Sequence, residues 1–105
     1  METLYNDVDI SLKPKMEAAM IPTALAAFET PSGPPAWAEP AFDDRRAYLR
    51  TINDQCNPQF LQVMWLQKSA VKWEIIDLQT SHCPFISCPG EVAEICIEVF
   101  KKWAE

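Results

Sequence analysis

The sequence predicts an α/β fold built around a strand–helix–strand unit, and three observations carry that reading. Two short runs rich in apolar and β-favouring residues, 46–52 and 73–80, have strand character. Between them lies a helical stretch opened by Asn57-Pro58. A last stretch from Pro89 carries one apolar stripe at helical spacing. Two strands joined by a helix imply parallel pairing with a right-handed crossover.

Taken in order, residues 1–29 form a helical segment. Residues 1–15 mix charges with Leu4, Tyr5, Val8, Ile10 and Leu12, as in a loop or short helix. Residues 15–28 are rich in Ala and Met and predict helix in two pieces, with Pro22 opening the second. Residues 30–45 contain prolines 31, 34, 35 and 40, which keep the chain extended. Trp37 and Phe42 indicate that this stretch lies against a protein surface. Residues 46–105 form a βαβα unit. Its first strand ends in the turn Asn53-Asp54-Gln55. Asn57 is the expected N-cap and Pro58 the first helical residue, with helix to residue 72. Phe60, Leu61, Val63, Met64, Trp65 and Leu66 make that helix apolar nearly all round, so it needs cover on more than one side. The second strand has Ile75, Ile76 and Leu78 as its apolar centre. A loop over 81–90 leads to the final helix, 89–104. Its stripe is Val92, Ile95, Cys96, Val99, Phe100 and Trp103, and Glu91 and Lys101-Lys102 suit the two ends of its dipole.

A chain of 105 residues makes one small domain with little core to spare. The hydrophobic fraction of 49% argues against disorder. Four Trp and five Phe are more aromatic surface than such a domain readily buries, and parallel sheets normally have more than two strands. Both facts point to further polypeptide around the unit. The net charge of -6, with scattered Lys and Arg, makes nucleic acid and anionic membranes poor partners. Glu2, Asp7 and Asp9 stand where a secretory signal would be basic and then apolar. The apolar run 18–28 is too short to span a bilayer, so a cytoplasmic location is expected. Cys56, Cys83, Cys88 and Cys96 are then expected as reduced thiols. A zinc set of His82, Cys83 and Cys88 with Cys56 or Cys96 lacks any C-x-x-C pair, and Cys96 falls on the apolar stripe. No metal and no other cofactor is expected.

Asp54 follows the first strand and His82 the second. In open α/β sheets, reactive groups gather beyond the carboxyl ends of the strands. Neighbouring strands run about 5 Å apart, so the two side chains can meet there. A carboxylate bonded to one imidazole nitrogen fixes the tautomer and leaves the other nitrogen basic. On spacing alone, a turn aspartate and a solvated loop histidine remain open readings.

The stretch Asp54-Gln-Cys-Asn-Pro58-Gln-Phe-Leu-Gln62 resembles the D-x-x-x-P-x-x-x-Q segment of small plant and fungal α/β-hydrolases, the methylesterase and hydroxynitrile-lyase-like family. Ser81-His82-Cys-Pro84-Phe85-Ile-Ser87-Cys-Pro89 resembles their catalytic-histidine segment, often G-H-S-P-F-x-S-x-P. Trp73-Glu-Ile-Ile-Asp-Leu is similar to the strand leading into it, and Leu4-Tyr5-Asn6-Asp7 and Ala27-Phe28-Glu29-Thr30-Pro31 are similar to earlier pieces. The resemblance implies the late part of an α/β-hydrolase sheet, hydrolysis of esters or related small molecules, Asp54 as triad acid and His82 as general base. The departures matter as much. With Gly33 and Gly90 the only glycines, no G-x-S-x-G nucleophile elbow exists in these residues, nor does the oxyanion-hole segment. The chain alone is therefore expected to be an inactive, truncated form with a remnant of the catalytic triad. Two alternatives stay open: half of a split hydrolase completed by another chain, or a non-catalytic partner that docks on a full-length relative. Self-association is also expected of so small a sheet.

Overall fold

The two strand-like runs pair in parallel in a computed structural model that describes residues 2–104; Met1 and Glu105, the outermost residues of the expected 1–29 and 46–105 segments, lie outside the described residues. Strand β1 is Ala47–Thr51 and β2 is Glu74–Leu78, in register from Ala47 opposite Glu74 to Thr51 opposite Leu78. Backbone bonds continue past both ends, with Glu74 N–H on the Arg46 carbonyl and Asn53 N–H on the Thr80 carbonyl. The pairing therefore extends beyond the strands proper. Parallel pairing turns alternate peptide groups of β1 toward β2. Those of Ala47, Leu49 and Thr51 face the other edge, where no strand lies among the described residues.

Helices α1 (Glu2–Tyr5), α2 (Lys13–Ala19) and α3 (Ala26–Glu29) form the N-terminal segment. Pro22 does not open the second helical piece as expected. It sits in the extended link between α2 and α3, because the residue before a proline is driven out of helical conformation. The proline-rich stretch is not wholly extended either: single 3-10 turns form at Ala36–Ala38 and Pro40–Phe42. It is fastened to the sheet by buried Arg46, which donates to the Trp37 carbonyl, to the Glu39 carbonyl (2.8 Å) and to Asp43 (2.7 Å). The Trp37 ring packs on Trp73, centroids 5.6 Å apart.

Helix α4 is Gln59–Lys68 and lies beside β1. It stops four residues short of the expected end because Ala70 takes a left-handed φ of 56° and Ser69 closes the turn, donating to the Leu66 carbonyl and accepting Trp73 Nε1–H. Its start also differs. Pro58 is the extended cap residue, and Asn57 supplies no side-chain cap. A one-turn helix, α5 (Pro84–Ser87), occupies the expected loop, and α6 spans Pro89–Ala104 as the sequence indicated. Ile95 and Val99 of α6 line clefts with Ala47, Leu49 and Ile76, one face of the sheet. Phe100, placed in the apolar stripe by spacing, stands 63% exposed. It lies one residue round the helix from Val99, at the rim of the cleft it shares with Ala47 and Leu49 and against the Trp103 ring, centroids 5.9 Å apart.

The interior is small and largely polar. The buried apolar residues are Val8, Leu78, Cys83 and Val99, whereas Arg46, Thr51, Asp54, Gln62, Thr80 and Ser81 are the buried polar ones. Five of those six flank the carboxyl ends of the strands. No helix among the described residues is long and apolar enough to cross a membrane.

Candidate functional site

The end of β1 and the loop after β2 bring Asp54 and His82 together. His82 Nδ1 lies 3.0 Å from Asp54 Oδ2. The sequence spacing allowed this contact, and the parallel pairing with Thr51 opposite Leu78 creates it.

Asp54 is tied by three further bonds. Oδ1 accepts the backbone N–H groups of Cys56 and Asn57, both at 2.8 Å, and Oδ2 accepts the Thr51 hydroxyl at 2.8 Å. Burial pushes the carboxyl pKa up, but the bonds from the Asn57 amide, His82, Thr51 and the Cys56 amide outweigh it and hold the group below its ordinary value. Asp54 is thus an ionised acceptor at neutral pH. Facing a carboxylate with no proton, neutral His82 must carry its hydrogen on Nδ1. Nε2 keeps its lone pair and has no hydrogen-bond partner among the described residues, on a ring that is 28% exposed.

Around the pair lies a cleft of about 350 Å³, bordered by Tyr48 and Leu49 of β1, Gln62 of α4, and Pro84 and Phe85 of α5. A second cleft of about 390 Å³ at the other end of the sheet is lined by charged groups already paired, Lys72 with Asp44 and Lys102 with Glu74, and holds no comparable constellation.

Three supporting residues were not singled out by sequence. Gln62, 1% exposed, sets its side-chain amide against the outer edge of β1, accepting from Thr51 N–H (3.1 Å) and donating to the Thr51 carbonyl (2.9 Å) and the Asn57 carbonyl (2.7 Å). Asp7 grips Ser81, next to the histidine. Their only sequence signal was position, Gln62 closing the D-x-x-x-P-x-x-x-Q stretch and Ser81 opening the histidine stretch.

Cys83 and Cys88, which flank the histidine loop, do not add a nucleophile. All four cysteines are free. Cys83 is buried, and burial, then the charges of Asp54 and Asp7, push its pKa up, away from the reactive thiolate. Burial also raises Cys88. Among the described residues, no group of three or more His, Cys, Asp or Glu side chains is placed to hold a metal ion. The arrangement offers an imidazole oriented by a buried carboxylate.

No protein-family model matches the chain, and no curated protein matches it significantly. The class that fold and site define is a small mixed α/β unit with one parallel strand pair, carrying an aspartate–histidine couple at its carboxyl end.

Proposed function

We propose that this chain carries the acid–histidine part of a serine-hydrolase-type centre of the α/β-hydrolase class, with Asp54 orienting His82 as general base toward ester-like small molecules. The observation that carries the reading is the 3.0 Å contact between an ionised carboxylate and imidazole Nδ1 at the carboxyl ends of adjacent parallel strands. In the neutral imidazole that contact leaves the Nε2 lone pair free on a ring held by a buried carboxylate, which is what proton abstraction from a nucleophile requires. The nucleophile and oxyanion donors supply most of the rate, and no G-x-S-x-G elbow stands in these 105 residues to provide the nucleophile. They come from other polypeptide, and the open edge of β1 favours completion by an added strand over a free-standing enzyme.

A fluorophosphonate probe, which labels an activated serine covalently, tests this. The purified chain is expected to show no labelling. Reconstitution with a chain that carries a nucleophile elbow is expected to restore it, and His82→Ala to abolish it. Stoichiometric labelling of a serine within these residues, or restored labelling indifferent to His82→Ala, would overturn the reading.

A further inference from the structure

We propose that Asp7 is a positioning residue for His82: its carboxylate holds Ser81, and through Ser81 sets the direction in which the imidazole meets Asp54. This rests on the reading of Asp54 and His82 given above.

The hold is two-handed. Asp7 Oδ2 accepts the Ser81 backbone N–H at 2.7 Å, and Oδ1 accepts the Ser81 hydroxyl. One carboxylate thereby fixes the peptide plane entering Ser81 and the rotamer of its side chain. The backbone of Ser81 then directs the next residue, His82. Ser81 is 0% exposed, so water does not stand in for Asp7, and neither its N–H nor its hydroxyl has another partner among the described residues. On the far side of His82 the loop is anchored too, since the Cys83 carbonyl accepts Ile86 and Ser87 N–H in the first turn of α5. Asp7 supplies the matching anchor before the histidine, from 74 residues upstream.

The N-terminal segment is built to deliver it. Val8, beside Asp7, is the only apolar side chain buried in residues 2–45. Burial pushes the Asp7 pKa up, but the Ser81 hydroxyl and amide, helped by the Ser87 hydroxyl and Asp7's own amide, outweigh it and hold the carboxyl below its ordinary value. Asp7 is therefore charged, and a strong acceptor, throughout the neutral range.

The test is proton NMR of the His82 Nδ1–H, read as its exchange rate with water on the full chain. Asp54→Ala is expected to abolish the slowly exchanging signal, which ties the signal to the pair. Asp7→Ala is expected to speed exchange by about tenfold while the β1 and β2 amides keep their protection, and Asp7→Asn, which still meets Ser81 through its side-chain amide, to stay near the native rate. Should Asp7→Ala also melt the strand amides, Ser81→Ala is read instead; it deletes only the hydroxyl bond, and a rise of roughly threefold is expected. Unchanged exchange in the readable variant overturns the inference while leaving the Asp54–His82 pair intact. Equal acceleration by Asp7→Ala and Asp7→Asn also overturns it, because charge and not hold would be the cause. A signal missing from the native chain, or indifferent to Asp54→Ala, removes the pair and the inference together.

Discussion

Gln62 stands where a neighbouring strand would stand. Its amide reproduces a peptide group, giving Thr51 an acceptor and a donor on the edge of β1 that faces away from β2. Thr51 in turn donates its hydroxyl to Asp54, so the side-chain amide of α4 holds the floor beneath the acid. It also ends any strand addition at this point, leaving the outward peptide groups of Ala47 and Leu49 as the pairing positions. Gln62→Leu puts an apolar side chain of similar size in its place and removes the bonds to Thr51 N–H, the Thr51 carbonyl and the Asn57 carbonyl. It strands these three backbone groups, so a loss of about 2–4 kcal/mol is expected in the urea unfolding free energy. A loss below about 1 kcal/mol would mean that water takes over the contacts. Sequence marks Gln62 only as the last residue of the D-x-x-x-P-x-x-x-Q stretch on an otherwise apolar helix, and the packing of α4 against β1 turns it inward.

Among the elements, α6 was the most legible, with bounds, apolar stripe and end charges all readable from spacing. Its reach was not, because how many stripe positions are covered depends on the width of the sheet beneath. Two strands cover Val99 and leave Phe100 open. Helix α4 inverts its apolar appearance: its one buried residue is Gln62, while Phe60 is 68% exposed. The energetic consequence is uneven. Leu78, 1% exposed on the same sheet face as Val99, is expected to cost about 2–4 kcal/mol on Leu78→Ala. Phe100→Ser is expected to change stability by less than about 0.5 kcal/mol. Chemical denaturation of the two variants checks the contrast, and a large loss from Phe100→Ser would mean that α6 is covered in solution.

At the scale of the molecule, surface exceeds what the chain length allows for a compact body. The accessible area is 7637 Å², against about 5,900 Å² for a folded monomer of this mass. The radius of gyration is 15.8 Å, against about 13 Å for a compact domain of this length. The excess area is larger than the roughly 800 Å² that one partner contributes to a standard interface. Ile21, Leu25, Phe28, Phe60, Phe85 and Phe100 are each more than half exposed. The isolated chain is therefore expected to self-associate. Sedimentation velocity should show species heavier than 11.9 kDa whose weight grows with concentration. A compact monomer with one sharp, two-state unfolding transition would contradict this.

Sequence by itself determined the strand–helix–strand order, the parallel strand pair, the terminal helix and the placement of Asp54 and His82 at consecutive strand ends. These follow from local periodicity, from proline, and from the rule that a strand–helix–strand unit pairs in parallel. Tertiary structure alone decided what holds the pair. Gln62 reaches across from α4, and Asp7 reaches Ser81 over 74 residues; such contacts depend on where distant segments meet in space, which no local pattern records. It also decided that the buried centre is a polar network at the strand ends, because a two-stranded sheet is too narrow to shelter the aromatic side chains that its sequence supplies.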